Sequence, residues 1–432
     1  MRRYRTVIFV VALIIINVLG LSFTVVNKGS YENSLYHRFT RQRFAWIVSD
    51  PHPKYPIQAG WANVTITPIA ASSPGAKERE SIQTRALVLD NGTTRAAMIT
   101  VDLLMMPPSV AQLLEKRLPK LGLAWKNVYL GATYSQPGLG GWSRDYMGKR
   151  QFGPYDEQRV NQVTEAILKA VDLAQKNMGT VQIGHTQVDL NGQKELSAPD
   201  NRAGAEALHL LQLRKLTGES ALIYSSYARP IPIGKATDSA AKGDFFSLSM
   251  QQLDKQTHCF TLGMVGAIQE TNPSNQIRSE TPQALATQIA TILSRQELHT
   301  DSTLIAQTTP LIQNDPQVRV SQNWRLKPWL AKALYGDYRA ELKALRIGQT
   351  VFVGCPGSIS AELADDLLDL PIARQRTLVI TSYNGGDIGQ IVPDTYYYAE
   401  NSPYAISQTN RFGPYTARFF EDMTQSLVSS LK

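Results

Sequence analysis

The sequence predicts a mixed α/β protein with a single large domain that follows an N-terminal transmembrane helix. Three observations lead to this prediction. Strand-like and helix-like hydrophobic patterns alternate from about residue 59 to the C-terminus, without repeats or low-complexity tracts. The most apolar strand-like runs end in small or polar residues, as strands of open α/β sheets do. An apolar stretch at residues 7–26 follows three arginines at the N-terminus.

The N-terminal stretch predicts a signal anchor. About 20 apolar residues at ~1.5 Å each match a bilayer core of ~30 Å. Arg2, Arg3 and Arg5 precede the stretch, which favours a cytoplasmic N-terminus and an extracytoplasmic (periplasmic or extracellular) domain. A cleaved signal peptide is the alternative, but the apolar stretch is long and no A-x-A site follows it. We therefore expect a cytoplasmic tip and anchor at residues 1–27, a juxtamembrane linker at 28–58 and the domain at 59–432.

The charge balance points to a membrane as the partner. The net charge of +8 includes no run of five Lys or Arg and no aromatic-basic motif, so nucleic acid is not expected. The expected partner is the lipid bilayer.

The domain is predicted to open with strands. AGWANVTITP reads as a strand, and SIQTRALVLDNGTTRAAMITVDL reads as two strands joined by a hairpin turn at Asp90, Asn91 and Gly92. SVAQLLEKRLPKLGL has helical spacing and leads into the strand of NVYLGATYSQPGLGGW. YDEQRVNQVTEAILKAVDLAQKNM predicts a long amphipathic helix.

The same alternation continues to the C-terminus. Strands are predicted in TVQIGHTQVDL, EALHLLQLRK, ESALIYSSYA, CFTLGMVGAI, ELKALRIGQTVFVGCPGS and RTLVITSYNGG. Helices are predicted in FFSLSMQQLDKQ, TPQALATQIATILSRQ, ISAELADDLLDL and YTARFFEDMTQSLVSSL. If these strands point the same way in one sheet, the loops at Tyr134, Arg229, Asn272, Ser358 and Asn384 meet at one edge.

The residues by themselves identify no complete catalytic motif. None of the six histidines has a partner at metal-ligand spacing. Ser358 in GCPGSIS lies at a strand-to-helix turn but lacks the G-x-S-x-G pattern, and a helix N-cap explains it more simply. Asp102 and Asp244 follow apolar runs, where an aspartate acts as a general base or, more often, caps a turn.

The two cysteines lie in apolar runs. Cys259 and Cys355 are interpreted as buried thiols, and a disulfide between them stays open.

Several segments, in order, resemble the N-terminal catalytic domain of the neutral (non-lysosomal) ceramidase family. The similar segments are AGWANVTITP, TRALVLDNGTTRAAMITVDLL, NVYLGATYSQPGLGGW and the stretch from NWRLKPWL to GCPGSISAEL. The resemblance covers about residue 59 to the C-terminus. It implies the fold of a zinc amidase that hydrolyses the N-acyl bond of ceramide, with zinc held by histidines, an acidic residue and a tyrosine.

The resemblance also implies that the metal ligands are replaced in this chain. The family's His-Thr-His motif matches Tyr134 and Gln136, and a further histidine matches Arg229. The acidic ligand matches Ser358, the tyrosine falls near Gln390, and a nucleophile-loop serine matches Asn272. Asp102 and Asp244 match acidic positions of the family.

This replacement predicts a protein without catalytic zinc. Amide and hydroxyl groups are poor zinc ligands, and a guanidinium cannot coordinate a cation. We therefore expect no cofactor, with Arg229 in an internal ion pair or beside a lipid or anionic small ligand. The first hypothesis is a degenerate, membrane-anchored ceramidase-like protein with a binding or scaffold role. The alternatives are a hydrolase with a rebuilt, metal-free site and an active N-acyl lipid amidase whose ligands lie elsewhere.

Overall fold

The protein is described here from a computed structural model. The structure describes residues 2–32, 34–45, 52–66, 82–135, 140–189, 194–196, 204, 207–228, 245–268, 281–337, 339–370, 373, 375–399 and 404–431. Gln136, Arg229, Asp244 and Asn272, four of the residues singled out by the sequence, lie outside this part.

The strands follow the predicted order, but the strand Leu304–Pro310 and several short strands were not predicted, and the segment ELKALRIGQTVFVGCPGS contains two main strands instead of one. The strands are β1 (Phe23–Val25), β2 (Gln58–Ile66), β3 (Ile82–Asp90), β4 (Arg95–Val101), β5 (Val128–Ala132), β6 (Gly179–Asp189), β7 (Lys194–Leu196), β8 (Leu208–Lys215), β9 (Ser220–Ala228), β10 (Phe260–Ile268), β11 (His299–Thr300), β12 (Leu304–Pro310), β13 (Trp324–Leu326), β14 (Glu341–Ile347), β15 (Thr350–Gly354), β16 (Ser358–Ile359), β17 (Thr377–Thr381) and β18 (Gln390–Ile391).

The described strands form two main sheets. The larger has the order β10-β9-β8-β6-β2-β3-β4-β5, with β7 and β11 paired to β6. The smaller has the order β12-β14-β15-β17. The predicted hairpin joins β3 to β4: Gly92 has a φ of +84°, and its N–H donates to Asp90 Oδ1 at 2.7 Å. Only glycine adopts this left-handed conformation without a steric cost, which is why the turn is placed there.

Ten α-helices lie in the described part of the chain, and most of them cover the outer faces of the two sheets. They are α1 (Arg2–Ser22), α2 (Leu35–Ala45), α3 (Pro108–Arg117), α4 (Tyr146–Phe152), α5 (Glu157–Lys176), α6 (Phe245–Thr257), α7 (Pro282–Leu293), α8 (Pro328–Tyr335), α9 (Ala361–Leu368) and α10 (Thr416–Ser430). The mixed α/β prediction is confirmed for this domain.

Successive residues of a strand point to opposite faces of its sheet and therefore pack in different layers. In β3, Leu87 and Leu89 pack into the core between the two sheets, together with Phe352 of β15. Ala86 and Val88, one residue out of phase, pack instead against helices α3 and α5. This follows from the two-residue period of a strand. The order of layers is helix, sheet, sheet, helix, with α2, α9 and α10 covering the smaller sheet.

The predicted transmembrane anchor is not supported. Helix α1 ends at Ser22, and Phe23–Val25 pairs antiparallel with Trp324–Leu326 instead of continuing the helix. The apolar part of α1, residues 7–22, therefore rises about 24 Å, less than the ~30 Å of a bilayer core. Across the described residues, no helix combines the length and the apolarity needed to cross a membrane. The location of the domain stays a prediction.

The segment predicted as a linker packs as part of the domain. It contains α2, and Tyr31 and Phe44 are buried beside Phe419 of α10. The Tyr31 hydroxyl donates to Asp422 Oδ2 at 2.6 Å. Both contacts join residues that are almost the whole chain apart.

Candidate functional site at the strand ends

Three loops that follow strands bring their side chains together in one cluster. Strand β5 leads to Tyr134, strand β15 leads to Ser358, and strand β17 leads to Tyr383. The Tyr134 and Tyr383 rings stack with their centroids 5.6 Å apart and their planes 20° apart. The Tyr383 phenol lies close enough to the side chains of Ser358 and Tyr134 to interact with both. Burial, with the nearby Tyr134 and Asp387, raises the pKa of Tyr383 well above its usual value, so the phenol stays protonated.

Gln390 lies beside the same cluster. Strands β16 and β18 run parallel, and Ser358 is paired directly with Gln390. The Ser358 N–H donates to the Gly389 carbonyl at 3.1 Å. The Gln390 side-chain oxygen Oε1 is buried and accepts no hydrogen bond among the described residues. The structure thus brings together three of the positions matched to family ligands, which are named here, with Tyr383, the tyrosine cluster: Tyr134, Ser358, Gln390 and Tyr383.

Both tyrosines are held in a strained backbone conformation. Tyr134 has a φ of +56° and Tyr383 a φ of +59°. Non-glycine residues in this left-handed region cost about 1–3 kcal/mol and persist where the surroundings fix them, often at functional sites. Tyr383 is not among the site residues that the sequence predicts. The next residue, Asn384, is predicted as a strand end, so the sequence indicates where this loop lies but not the role of Tyr383.

A hydrogen-bond network fixes the loop that carries Tyr383. The Tyr129 hydroxyl lies 2.5 Å from Thr381 Oγ1, which donates to Asn384 Oδ1 at 2.5 Å. The Asn384 amide in turn donates to the Leu130 carbonyl. Ser382 Oγ donates to the Gly266 carbonyl at 2.7 Å and so ties the loop to β10. Buried, mutually satisfied polar groups of this kind set one loop geometry.

Asp102 supports the site from the side. Its carboxylate accepts a hydrogen bond from the Gln83 N–H at 3.0 Å and contacts Ser247 and Thr133, the residue before Tyr134. Burial raises the pKa of Asp102, and the Gln83 hydrogen bond and the Arg85 charge oppose that effect. These contacts give Asp102 a structural role at the end of β4.

Two histidines lie together on the face between the sheets. His185 on β6 and His209 on β8 have ring centroids 5.8 Å apart. Burial lowers the pKa of His185 to about 4; burial and the neighbouring His185 lower that of His209 to about 3. Asp102 contacts a different set of residues, so these two histidines do not form a site with it.

The residues present at the tyrosine cluster do not fit zinc. The cluster offers phenol, hydroxyl and amide groups, whereas zinc prefers imidazole, thiolate and carboxylate ligands. Among the residues described, no group of three or more His, Cys, Asp or Glu could hold a metal ion. The absence of a cofactor stays a prediction, since four of the matched positions lie outside that part. Cys259 and Cys355 are both buried and free, so the alternative of a disulfide is wrong.

Solved structures share this fold. The chain superposes on neutral ceramidase from Pseudomonas aeruginosa with a TM-score of 0.61 and 14% identity, covering 87% of this chain and 75% of that one. A ceramidase complexed with C2 gives a TM-score of 0.61 and 15% identity with the same coverage. No protein-family model and no curated protein matches the chain. The chain therefore has a ceramidase-like fold, and its function has to be argued from the site.

Proposed function

We propose that the tyrosine cluster binds the amide of an N-acyl lipid such as ceramide and that the chain does not hydrolyse it through a zinc ion. The ceramidase-like fold supports the class of ligand. The observation that carries the proposal is the stack of Tyr134 on Tyr383 beside the paired residues Ser358 and Gln390. These groups bind neutral polar ligands, whereas they coordinate zinc poorly.

The hydrogen-bonding capacity of the cluster suits an amide. Hydroxyl groups of Ser358 and the tyrosines can donate to the amide carbonyl oxygen. The free Gln390 Oε1 can accept the amide N–H. An amide ligand would therefore satisfy a buried acceptor that costs about 1–3 kcal/mol when left unpaired. The two aromatic rings supply an apolar wall for the neighbouring part of the ligand.

The test measures binding and turnover on one preparation. A fluorescent short-chain ceramide in detergent is titrated into the wild type, Ser358→Ala and Gln390→Leu. We expect each variant to bind about fivefold to a hundredfold more weakly, because it removes one partner of a buried amide. Tyr146→Phe, on the exposed helix α4, is the matched control and should bind like the wild type.

Metal content and hydrolysis decide between this proposal and an active amidase. Elemental analysis of the protein should show no stoichiometric zinc, and ceramide should be recovered intact. Turnover that is abolished by a chelator would establish the amidase instead. Unchanged binding by both site variants would refute the amide-binding role even if no turnover is seen.

A further inference from the structure

The N-terminal helix and the region that holds it form one exposed surface. We call this surface the N-terminal face and define it as α1, β1, Lys28, residues 320–323, β13, Lys327 and the first turn of α8. Strands β1 and β13 pair over three residues. The Trp329 indole N–H donates to the Leu21 carbonyl at 3.0 Å, and the Lys327 N–H donates to the Ser22 carbonyl at 2.9 Å. The C-terminal end of α1 is therefore fixed to the body of the domain.

The N-terminal face exposes an unusual amount of apolar surface. Trp324 is 51% exposed and Trp329 is 57% exposed, and Val25 and Val320 are exposed beside them. The exposed large apolar side chains of α1 are Val7, Ile8, Phe9, Val10, Val11, Leu13, Ile14, Ile15, Ile16, Val18, Leu19 and Leu21. Contiguous exposed apolar surface of this kind marks a protein or membrane contact.

The charge of the N-terminal face distinguishes these partners. Residues 1–31 and 316–336 contain no Asp or Glu. They contain eight Lys and Arg: Arg2, Arg3, Arg5, Lys28, Arg319, Arg325, Lys327 and Lys332. The chain has 44 Lys and Arg against 36 Asp and Glu, so these eight residues account for its whole net charge of +8. Arg319 is buried, and Lys28, Arg325, Lys327 and Lys332 are at least partly exposed on the two segments that carry the exposed apolar residues.

Tryptophan and lysine next to exposed apolar side chains are typical of a surface that binds at a membrane interface. Tryptophan places an apolar body in the acyl region and its N–H at the headgroups. Basic residues near the surface add about 1 kcal/mol each toward anionic lipid. A second copy of this chain would bring Lys28, Arg325 and Lys327 against the same basic residues, which opposes self-association through the same face.

We propose that the N-terminal face attaches the protein to the surface of an anionic lipid bilayer, with Trp324 and Trp329 as its anchors. The apolar side chains of α1 and the two indoles enter the acyl region while Lys28 and Lys327 contact lipid headgroups. The proposal concerns attachment to a surface and requires no spanning helix. It is independent of what the tyrosine cluster binds.

The test uses sedimentation of the full chain with vesicles. Vesicles of phosphatidylcholine alone are compared with equal parts phosphatidylcholine and phosphatidylglycerol, at low and high salt. We expect preferential binding to the anionic vesicles that falls as salt rises. Trp324→Ala and Trp329→Ala should each weaken the partition about tenfold, since each removes an apolar side chain that the bilayer would bury. Lys28→Gln and Lys327→Gln should each weaken it about fivefold on anionic vesicles only.

Controls separate this surface from general stickiness and from self-association. Leu216→Ala and Leu173→Ala remove exposed apolar side chains elsewhere and should leave the partition unchanged. Quenching by brominated lipid should be lost mainly in the two tryptophan variants. Equal binding to neutral and anionic vesicles, or unchanged partition of both tryptophan variants, would overturn the proposal. So would sedimentation equilibrium without lipid that shows an oligomer dissociated by Trp329→Ala.

Discussion

The buried histidine pair predicts that acid destabilises the fold by a defined amount. A histidine of the unfolded chain has a pKa of about 6.5. The pKa values of about 4 for His185 and about 3 for His209 mean that the native state takes up these protons later. At 1.36 kcal/mol per pKa unit the full cost is about 3 kcal/mol for His185 and about 5 kcal/mol for His209.

The sign follows from proton linkage. Between pH 6.5 and the folded pKa values, the unfolded state binds more protons, so the free energy of unfolding falls as pH falls. The slope is about 1.4 kcal/mol per pH unit for each histidine, or about 2 kcal/mol each between pH 6.5 and 5. Two carboxyl groups act in the opposite direction. Burial raises the pKa of Asp394 to about 6 and of Glu421 to about 7. The folded state therefore binds more protons at these two groups, and their effect is to lower the free energy of unfolding as pH rises.

Histidine variants separate the effect of the two imidazoles on the free energy of unfolding from the effect of these carboxyl groups. Urea unfolding of the wild type, His185→Gln and His209→Gln is followed by tryptophan fluorescence at pH 7.5 and pH 5. Each variant should lose about 2 kcal/mol less than the wild type between these pH values. His299→Gln, at an exposed position, should follow the wild type. An equal pH dependence in all four proteins would refute the assignment of the two imidazoles as buried and neutral.

The remaining predictions concern stability and are checked by the same urea unfolding. Lys343→Met should cost about 3 kcal/mol because it removes the buried partner, 3.2 Å away, of the Glu341 carboxylate, and adding Glu341→Gln should recover part of that loss. Gly385→Ala should cost at least about 2 kcal/mol, because the φ of Gly385 is +94° and an added Cβ would overlap the Glu341 carbonyl oxygen. Gly153→Ala should cost only about 1 kcal/mol, because Gly153 has a φ of +84° but an added Cβ would meet no other atom. Asp156→Ala should cost about 1 kcal/mol because its carboxylate caps α5, and an unchanged midpoint would contradict that role.

The local pattern of the sequence was enough for the main elements. The alternation in β3 and β4, the turn at Gly92 and the helical spacing of α5 are short-range signals, and each was interpreted correctly. The errors concern non-local contacts. Strand β1 forms because it meets β13 about 300 residues later, and nothing within residues 23–25 indicates that partner. Helix α2 lies in the segment predicted as a juxtamembrane linker, and its burial depends on α10, which no local pattern indicates.

The candidate site shows the same division. Resemblance to a family supplied Tyr134, Ser358 and Gln390 as related positions, although more than 250 residues separate the first from the last. Composition alone could not have grouped them, since no local motif connects the three positions. Tyr383 was missed because its position depends on backbone strain and on the Asn384 network, which are properties of the folded chain.

Hydrogen bonds connect the N-terminal face to the tyrosine cluster. The Asn27 N–H, just after β1, donates to Gln317 Oε1 at 2.7 Å, and the Gln317 N–H donates to the Arg411 carbonyl at 2.5 Å. The neighbouring Asn410 donates its N–H to the Gln390 carbonyl at 2.9 Å. A membrane held by the N-terminal face would therefore lie at a fixed position relative to the site, which suits a ligand that resides in lipid.

This arrangement predicts a difference between two sources of ligand. Trp329→Ala should reduce the uptake of fluorescent ceramide from anionic vesicles about tenfold, because attachment weakens by that factor. The same variant should bind detergent-solubilised ceramide like the wild type, because Trp329 lies outside the tyrosine cluster. Stopped-flow transfer and equilibrium titration measure the two quantities. Loss of both would mean that the substitution damages the fold, and loss of neither would separate membrane attachment from ligand binding.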